Sequence, residues 1–429
     1  MTDANRPSSW RAADYVVASL LAVVMAAGAW QLSGTLHPVL YQYWAAGLRT
    51  TDMWFDADIP RAACLATDRL AVQHQVTALH PLISIVLYLP TRAITAVSPA
   101  PVIVAMRRFS ALSAAVWIVT CYGLLRLMGS AVIDAILFGV LAAVSAAGMF
   151  WSAVPEIHIL GSITLMLPVC LAAFRAGGRG RGEAWLTLVS AASLSITITN
   201  WISGLAAAWI ERGGRRAAQI SINAFVLVSL LWCVQAVWFP ANRYFVGERG
   251  PFDAVVPADP AGAGRALTAL MSHAVVMPLA AVTTDPGSAP GLSVQQSGLG
   301  SSGGWGMMAT SLWLLVLGAG GLELWRHHRH EAASRLLVIV IVCQVVLHLV
   351  VGDETFLYAM QIAPILIAAA AFAARGRHRS AVRVAVLMLI ASVGINNWTQ
   401  FERSSGLVAA AGGGLVGQGA VLQPADACR

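Results

Sequence analysis

The chain contains no lysine; all 27 of its basic residues are arginines. That excludes a Schiff-base lysine and the lysine of a phosphate-binding P-loop. Charge of either sign is scarce. Charged residues make up 11% of the 429 positions, against about a quarter in a soluble chain. Hydrophobic residues reach 58%, and mean hydropathy is +0.71. So few charges cannot cover that much apolar surface in water. The solvent for most of the chain must be lipid. No internal repeat and no inverted pair of broken helices marks the chain as a transporter.

Apolar runs long enough to cross a ~30 Å hydrocarbon layer as helices lie at 14–34, 103–125, 130–150, 157–174, 217–239, 306–325, 335–351, 356–374 and 381–397. The first is too long for a signal peptide and lacks a small-residue cleavage site. Residues 184–211 form one block, too long for one span and short for two. Arginines decide how it runs. Arg175, Arg179 and Arg181 precede the block, and Arg212, Arg215 and Arg216 follow it. Both clusters should be cytoplasmic, so the block goes in and returns as two short helices turning near Asn200–Trp201. The same parity makes 81–97 a juxtamembrane or re-entrant helix on the outer face rather than a span. The expected fold is an all-α polytopic membrane protein of about eleven spans with a helical first outer loop. The N-terminus, residues 1–13, lies inside. The transmembrane domain covers 14–397, with outer loops at 35–102 and 240–305. Residues 398–429 form an outer tail.

Most of the 20 acidic residues fall in the segments read as outer, so the chemistry should be there. The first outer loop carries Asp56 and Asp58 beside Trp54, Phe55 and Ile59, then Arg61, His74 and His80. A carboxylate in such a part-apolar setting can take a proton from an attacking hydroxyl, and an i, i+2 acid pair can bind a divalent cation. The bland alternative is a solvated loop with surface ion pairs. Glu156 lies alone in a short outer turn, and Asp353 and Glu354 lie in another. Acids this close to hydrocarbon are costly and usually functional, although each also begins a helix, where the dipole favours an acid. Arg107 and Arg108 break the positive-inside pattern at the outer end of the second span. They either snorkel to headgroups or hold a phosphate.

The ordered set Trp54-Phe55-Asp56-Ala57-Asp58, His80-Pro81-Leu82, Met106-Arg107-Arg108-Phe109-Ser110-Ala111-Leu112, Pro155-Glu156 and Glu354-Thr355-Phe356-Leu357-Tyr358 resembles the GT-C superfamily of polytopic glycosyltransferases. It is most similar to the protein-mannosyltransferase-like and RgtA/B/C/D-like group, over roughly residues 10–375. The resemblance implies transfer of a sugar from a polyprenyl-phosphate donor to a glycan, lipid or protein acceptor, on the outer face of a bacterial inner membrane. It implies inversion at the anomeric carbon, a first-loop aspartate as base, and no metal or other cofactor. Membrane lipids are expected partners and nucleic acid is not.

The group often carries Asp-Glu in the first loop and His-Pro-Pro after it. Here the residues are Asp56-Ala57-Asp58 and His80-Pro81-Leu82. Both Asp58 and Asp56 therefore stand as candidate base, with Asp58 favoured because Pro60 stiffens the following backbone and Arg61 can orient it. Glu156 joins them as a catalytic candidate. Arg61, His74, His80, Arg107, Arg108, Asp353, Glu354 and Tyr358 are the substrate-binding candidates. The alternatives are a lipid-linked-sugar transporter or flippase, and a non-catalytic subunit of an envelope glycan machine. A flippase should carry its charges along the membrane interior, whereas these cluster at one face.

Five further expectations follow. Cys64 and Cys428 both fall outside, where a disulfide can form, and their pairing is left open. The apolar stretch 263–282 is expected on the membrane surface as an amphipathic helix, followed by a mobile Gly/Ser/Pro-rich loop at 285–304. His327-His328-Arg329-His330 is expected as a cytoplasmic anchor, and Gly412–Gly417 as a flexible linker.

Overall fold

The computed structural model describes residues 10–41, 43–44, 53–175, 182–247, 260–283, 290–350, 354–416, 421–422 and 428. Among the described residues the fold is all-α apart from two short antiparallel ladders, Tyr43–Trp44 with Val421–Leu422 and Ala281–Thr283 with Gly291–Ser293. Among the described residues, six helices are long and apolar enough to cross a membrane: Ala12–Thr35, Val102–Leu127, Gly214–Trp238, Gly304–His328, Thr355–Arg375 and Arg379–Ala411. A bent pair, Val132–Val144 with Ala146–Ser152, makes a seventh crossing if counted as one span. Shorter apolar helices lie at Ile83–Val97, His158–Phe174, Glu183–Ile196 and Ala332–His348. The 184–211 block breaks as expected, into Glu183–Ile196 and Trp201–Arg212 around a single 3-10 turn, Ile198–Asn200.

Local chemistry sets these boundaries. The first helix, Ala12–Thr35 (α1), opens with the Asp14 carboxylate accepting the Arg11 backbone N–H at 2.9 Å, an N-terminal acid placed where the dipole favours it. In the bent pair, Ser145 caps the second half by accepting the Gly148 N–H at 3.0 Å. A Cβ at Gly148 would stand 2.2 Å from the Ala142 carbonyl oxygen, so the 54° bend needs glycine there. At Gly204 a Cβ would approach the Ser190 Cα to 2.6 Å. That glycine lets the two short helices of the 183–212 hairpin touch.

Two ends of the bundle are chemically distinct. At one end Asp14 is almost wholly buried. It accepts from Arg126 Nε at 2.6 Å and from the Tyr122 hydroxyl at 2.8 Å. Nearby on the same side, the buried Asp134 accepts from Arg379 Nε at 3.0 Å and Arg383 Nε at 2.7 Å. Arginine clusters of the 212–216, 326–329 and 375–383 stretches lie toward this end, because their helices start or stop there. The opposite end carries Asp58, His80, Glu156 and Glu354.

Three expectations change here. Residues 269–280 are not a surface helix. Ala269, Leu270, His273, Ala274, Val275, Val276 and Met277 are buried. The Val275 carbonyl accepts from both Asn397 Nδ2 (2.8 Å) and the Ala146 N–H (2.9 Å), and the Met277 N–H donates to Asn397 Oδ1 at 2.8 Å. Polar side chains of the last long helix satisfy the backbone of this segment, which lets it plug into the bundle. The described part of the 285–304 loop is pinned rather than free, since the Leu292 N–H donates to the Met53 carbonyl at 3.0 Å. The last helix, Arg379–Val416, runs well beyond 397, so the first part of the expected tail, including most of Gly412–Gly417, is helical.

Cys64 and Cys428 are bonded, closing a loop of 364 residues in sequence separation. They form a small buried cluster with Ala71. The Val72 N–H also donates to the Cys428 carbonyl at 3.0 Å.

Candidate functional site

The first outer loop is anchored by its aromatic residues. Trp54 and Phe55 are fully buried. Trp54 stacks on Phe150 with centroids 5.6 Å apart and donates its indole N–H to the Phe150 carbonyl at 3.3 Å. Phe55 meets Phe356 edge-on at 5.3 Å. Sinking two adjacent aromatics into the bundle forces a sharp reversal. The Ala57 N–H donates to the Trp54 carbonyl at 3.0 Å, and the two residues between, Phe55 and Asp56, have φ of 50° and 64°. Both lie in the left-handed region, which is unfavourable for a bulky side chain.

The turn divides the two aspartates. Asp56 is exposed. Asp58 occupies the N-cap position of the helix Ile59–Thr67 (α2), which has Pro60 in its first turn; its side chain makes no capping bond and instead binds Arg61 one turn on. The Asp58 side chain is 37% exposed, yet what it opens onto is a cleft walled by protein. Burial holds its pKa above the usual carboxylate range, and Arg61 opposes that rise.

His80 arrives from the other side. Its Nδ1 donates to the Ile196 carbonyl at 2.8 Å, with Thr197 Oγ1 at 3.2 Å. The Leu82 N–H donates to the Ser195 carbonyl at 2.8 Å, and the Ile198 N–H donates to the Leu79 carbonyl at 3.2 Å. Carbonyls freed where the 183–212 hairpin breaks are thus satisfied by the His80 segment. Burial, with the Arg61 charge, pushes the His80 pKa down to about 4. The ring is neutral with its proton on Nδ1, so Nε2 is an acceptor.

Glu156 sits in the turn between the bent pair and the helix His158–Arg175 (α7). It is 5% exposed, and its Oε1 accepts the Ile157 N–H at 2.7 Å. A small cleft is lined by Asp58, Arg61, His80 and Glu156 together with Ala62, Leu65, Val76, Ile83 and Ile157. Four candidates from three separate stretches therefore meet in one place.

The others lie elsewhere. His74 is buried between Ser84 Oγ (2.8 Å) and the Asp68 carbonyl (2.9 Å), with its ring 4.5 Å from Phe239. It packs the loop together and does not line the cleft. Arg107 stacks over Trp30 at 4.3 Å and donates to Ser33 Oγ at 2.9 Å. Arg108 donates to the Ser98 carbonyl at 3.3 Å. Glu354 accepts from Ser293 Oγ and from the Phe356 N–H. Burial raises its pKa to about 7, and the charge of Asp56 pushes the same way. Asp56 does not line the cleft. Tyr358 stacks on His348 at 3.9 Å and touches the edge of His158 at 5.2 Å. Asp353 lies outside the described residues.

A buried polar set behind the cleft had no signal in the sequence. Gln361 Nε2 donates to His158 Nδ1 at 2.7 Å. Asn200 Nδ2 donates to the Gly161 carbonyl at 3.2 Å, Gln344 Nε2 to Asn200 Oδ1 at 3.1 Å, and His348 Nε2 to Gln344 Oε1 at 3.2 Å. Each is a lone polar residue in an apolar helix, so no spacing groups them. Among the described residues, no group of three or more His, Cys, Asp or Glu side chains is arranged to hold a metal ion.

No protein-family model matches the chain, and no curated protein matches its sequence. Among solved structures, the chain is similar to the cryo-EM structure of the arabinofuranosyltransferase AftD from Mycobacteria, with a TM-score of 0.48 and 15% identity. The match covers 92% of this chain and 27% of that one, so the chain spans about a quarter of the length of that protein.

Proposed function

We propose that the chain is a GT-C-type glycosyltransferase of a bacterial plasma membrane. In this reading it moves a sugar from a polyprenyl-phosphate donor to an envelope acceptor on the extracytoplasmic face. The observation that carries the reading is the meeting of Asp58, Arg61, His80 and Glu156 in one cleft at the end of the bundle away from the arginine clusters. The positive-inside rule sets that arginine-rich end in the cytoplasm. The Cys64–Cys428 bond, at the cleft end, fits an oxidising compartment there.

Asp58 is the base. It takes the proton of the acceptor hydroxyl, whose oxygen attacks the anomeric carbon from the face opposite the phosphate. The sugar–phosphate C–O bond breaks with inversion, and the lipid phosphate leaves against Arg61. A carboxylate whose pKa is raised by burial is a stronger base than one in water, and Arg61 opposes that rise by favouring the ionised form. His80 offers a lone pair rather than a proton, so the phosphate falls to Arg61 and His80 accepts from a sugar hydroxyl. Glu156 faces the same space and accepts from the reacting sugar or acceptor. Arg107 and Arg108, outside the cleft lining, are assigned to the lipid part of the donor. Glu354 and Tyr358 are assigned to the acceptor side.

Transfer from polyprenyl-phosphate sugars in proteoliposomes tests this. Asp58→Asn is expected to lose about 10²- to 10⁴-fold in turnover, and Asp56→Asn far less. Full activity in a folded Asp58→Asn protein rejects the assignment.

A further inference from the structure

The carboxylate of Glu156 has a neighbour outside the cleft lining. His158 opens α7 two residues later and is 6% exposed. Its Nε2 lies 3.9 Å from Glu156 Oε1. Its other ring nitrogen is engaged from 203 residues away, where Gln361 Nε2 stands 2.7 Å from His158 Nδ1. An amide nitrogen only donates, so Nδ1 is the acceptor in that bond. A neutral imidazole carries one proton, and it must then sit on Nε2, the nitrogen nearest Glu156. The Tyr358 ring meets the imidazole edge-on at 5.2 Å and limits its rotation. Sequence, tautomer and packing all place an N–H donor just beyond hydrogen-bond reach of the cleft carboxylate. Such contacts are often long before substrate binds and tighten in the complex.

We propose that His158 is a positioning residue: held by Gln361 with its proton on Nε2, it donates to Glu156 and fixes that carboxylate across the cleft from Asp58 and Arg61. No proton changes owner in this role. Glu156 stays an acceptor for the sugar or acceptor hydroxyl, while the reaction's proton goes to Asp58. The idea rests on the transfer reaction proposed above for its kinetic consequence, but not for its geometry.

The full-length protein in proteoliposomes, with a polyprenyl-phosphate sugar as donor, provides the kinetic test. His158→Ala is expected to lower kcat by about 10²-fold, the scale of a displaced catalytic group, with little change in donor KM. His158→Gln restores an N–H near the Nε2 position and is expected to stay within a few-fold of wild type. A purely structural role would instead lower the melting temperature and leave the kcat-to-KM ratio pattern unsplit. Equal damage from Ala and Gln, or none from Ala, overturns the proposal.

A second measurement needs no activity. Solid-state ¹⁵N NMR of histidine-labelled protein, with His158→Gln as the difference control, reads the tautomer directly. A proton on Nδ1 at neutral pH overturns the proposal whatever the reaction is. The Nε2 tautomer, together with no transfer from any polyprenyl-phosphate sugar, supports the geometry and counts against the glycosyltransferase reading instead.

Discussion

The two ends of the bundle spend their charges differently. At the arginine-rich end, buried Asp14 and Asp134 are each clasped by arginine, Asp14 by Arg126 and Asp134 by Arg379 and Arg383. At the other end Asp58 keeps one arginine partner and an open side. Glu156 lines the same cleft, and Glu354 is held by a serine hydroxyl and backbone rather than by an arginine. The same residue types thus serve two purposes. A carboxylate matched in full by guanidinium is a staple. One matched in part, beside empty volume, is free to take a proton.

Substitutions should separate the two ends. The largest effect is expected at the open end, from Asp58→Asn, with turnover down about 10²- to 10⁴-fold and thermal stability close to wild type. An equal loss of stability would erase the distinction. At the closed end, Arg126→Met leaves Asp14 buried without its partner. That is expected to cost about 3–5 kcal/mol, read as loss of folded protein in detergent melts, while the surviving protein keeps its specific activity.

Glu354 gives an intermediate case with a defined pH window. Its pKa rises from 4.5 to about 7 on folding. The folded state then binds more protons than the unfolded one between those values, so stability is full below about 4.5 and falls as pH rises to about 7. The difference corresponds to roughly 3 kcal/mol. Glu354→Gln should therefore raise the melting temperature at pH 8 and change it little at pH 4. No pH dependence of that gain would mean that the carboxyl is better solvated than its burial implies. The smallest effect belongs to the strained turn. Asp56→Gly relieves a positive φ of 64° and is expected to stabilise by about 1 kcal/mol. Its activity should fall far less than that of Asp58→Asn.

Much of this architecture could be read from apolar runs and arginines. The break at Asn200–Trp201 followed from parity alone, because arginines on both sides demand an even number of crossings. The acids of the cleft were legible as types out of place, charged residues beside Trp54 and Phe55 or alone in a short turn. Their grouping was not. Asp58 and His80 meet Glu156 only because the 195–198 turn offers its carbonyls to the His80 segment. The 269–280 stretch misled for a similar reason. Its composition suits a membrane surface and a protein interior equally, and Asn397, some 120 residues on, decides between them. His158 and Gln361 were illegible as a pair, since neither residue carries a spacing that points to the other.

The bond between Cys64 and Cys428 also sets an order of events. Cys64 lies on α2, the helix that presents Asp58 and Arg61, and its partner follows the last long helix. The link can close only after every intervening helix has been made and Cys428 has been delivered to the side where α2 waits. A non-reducing gel of the newly made protein would therefore report assembly of the helices between the two cysteines, with the oxidised band following the reduced one.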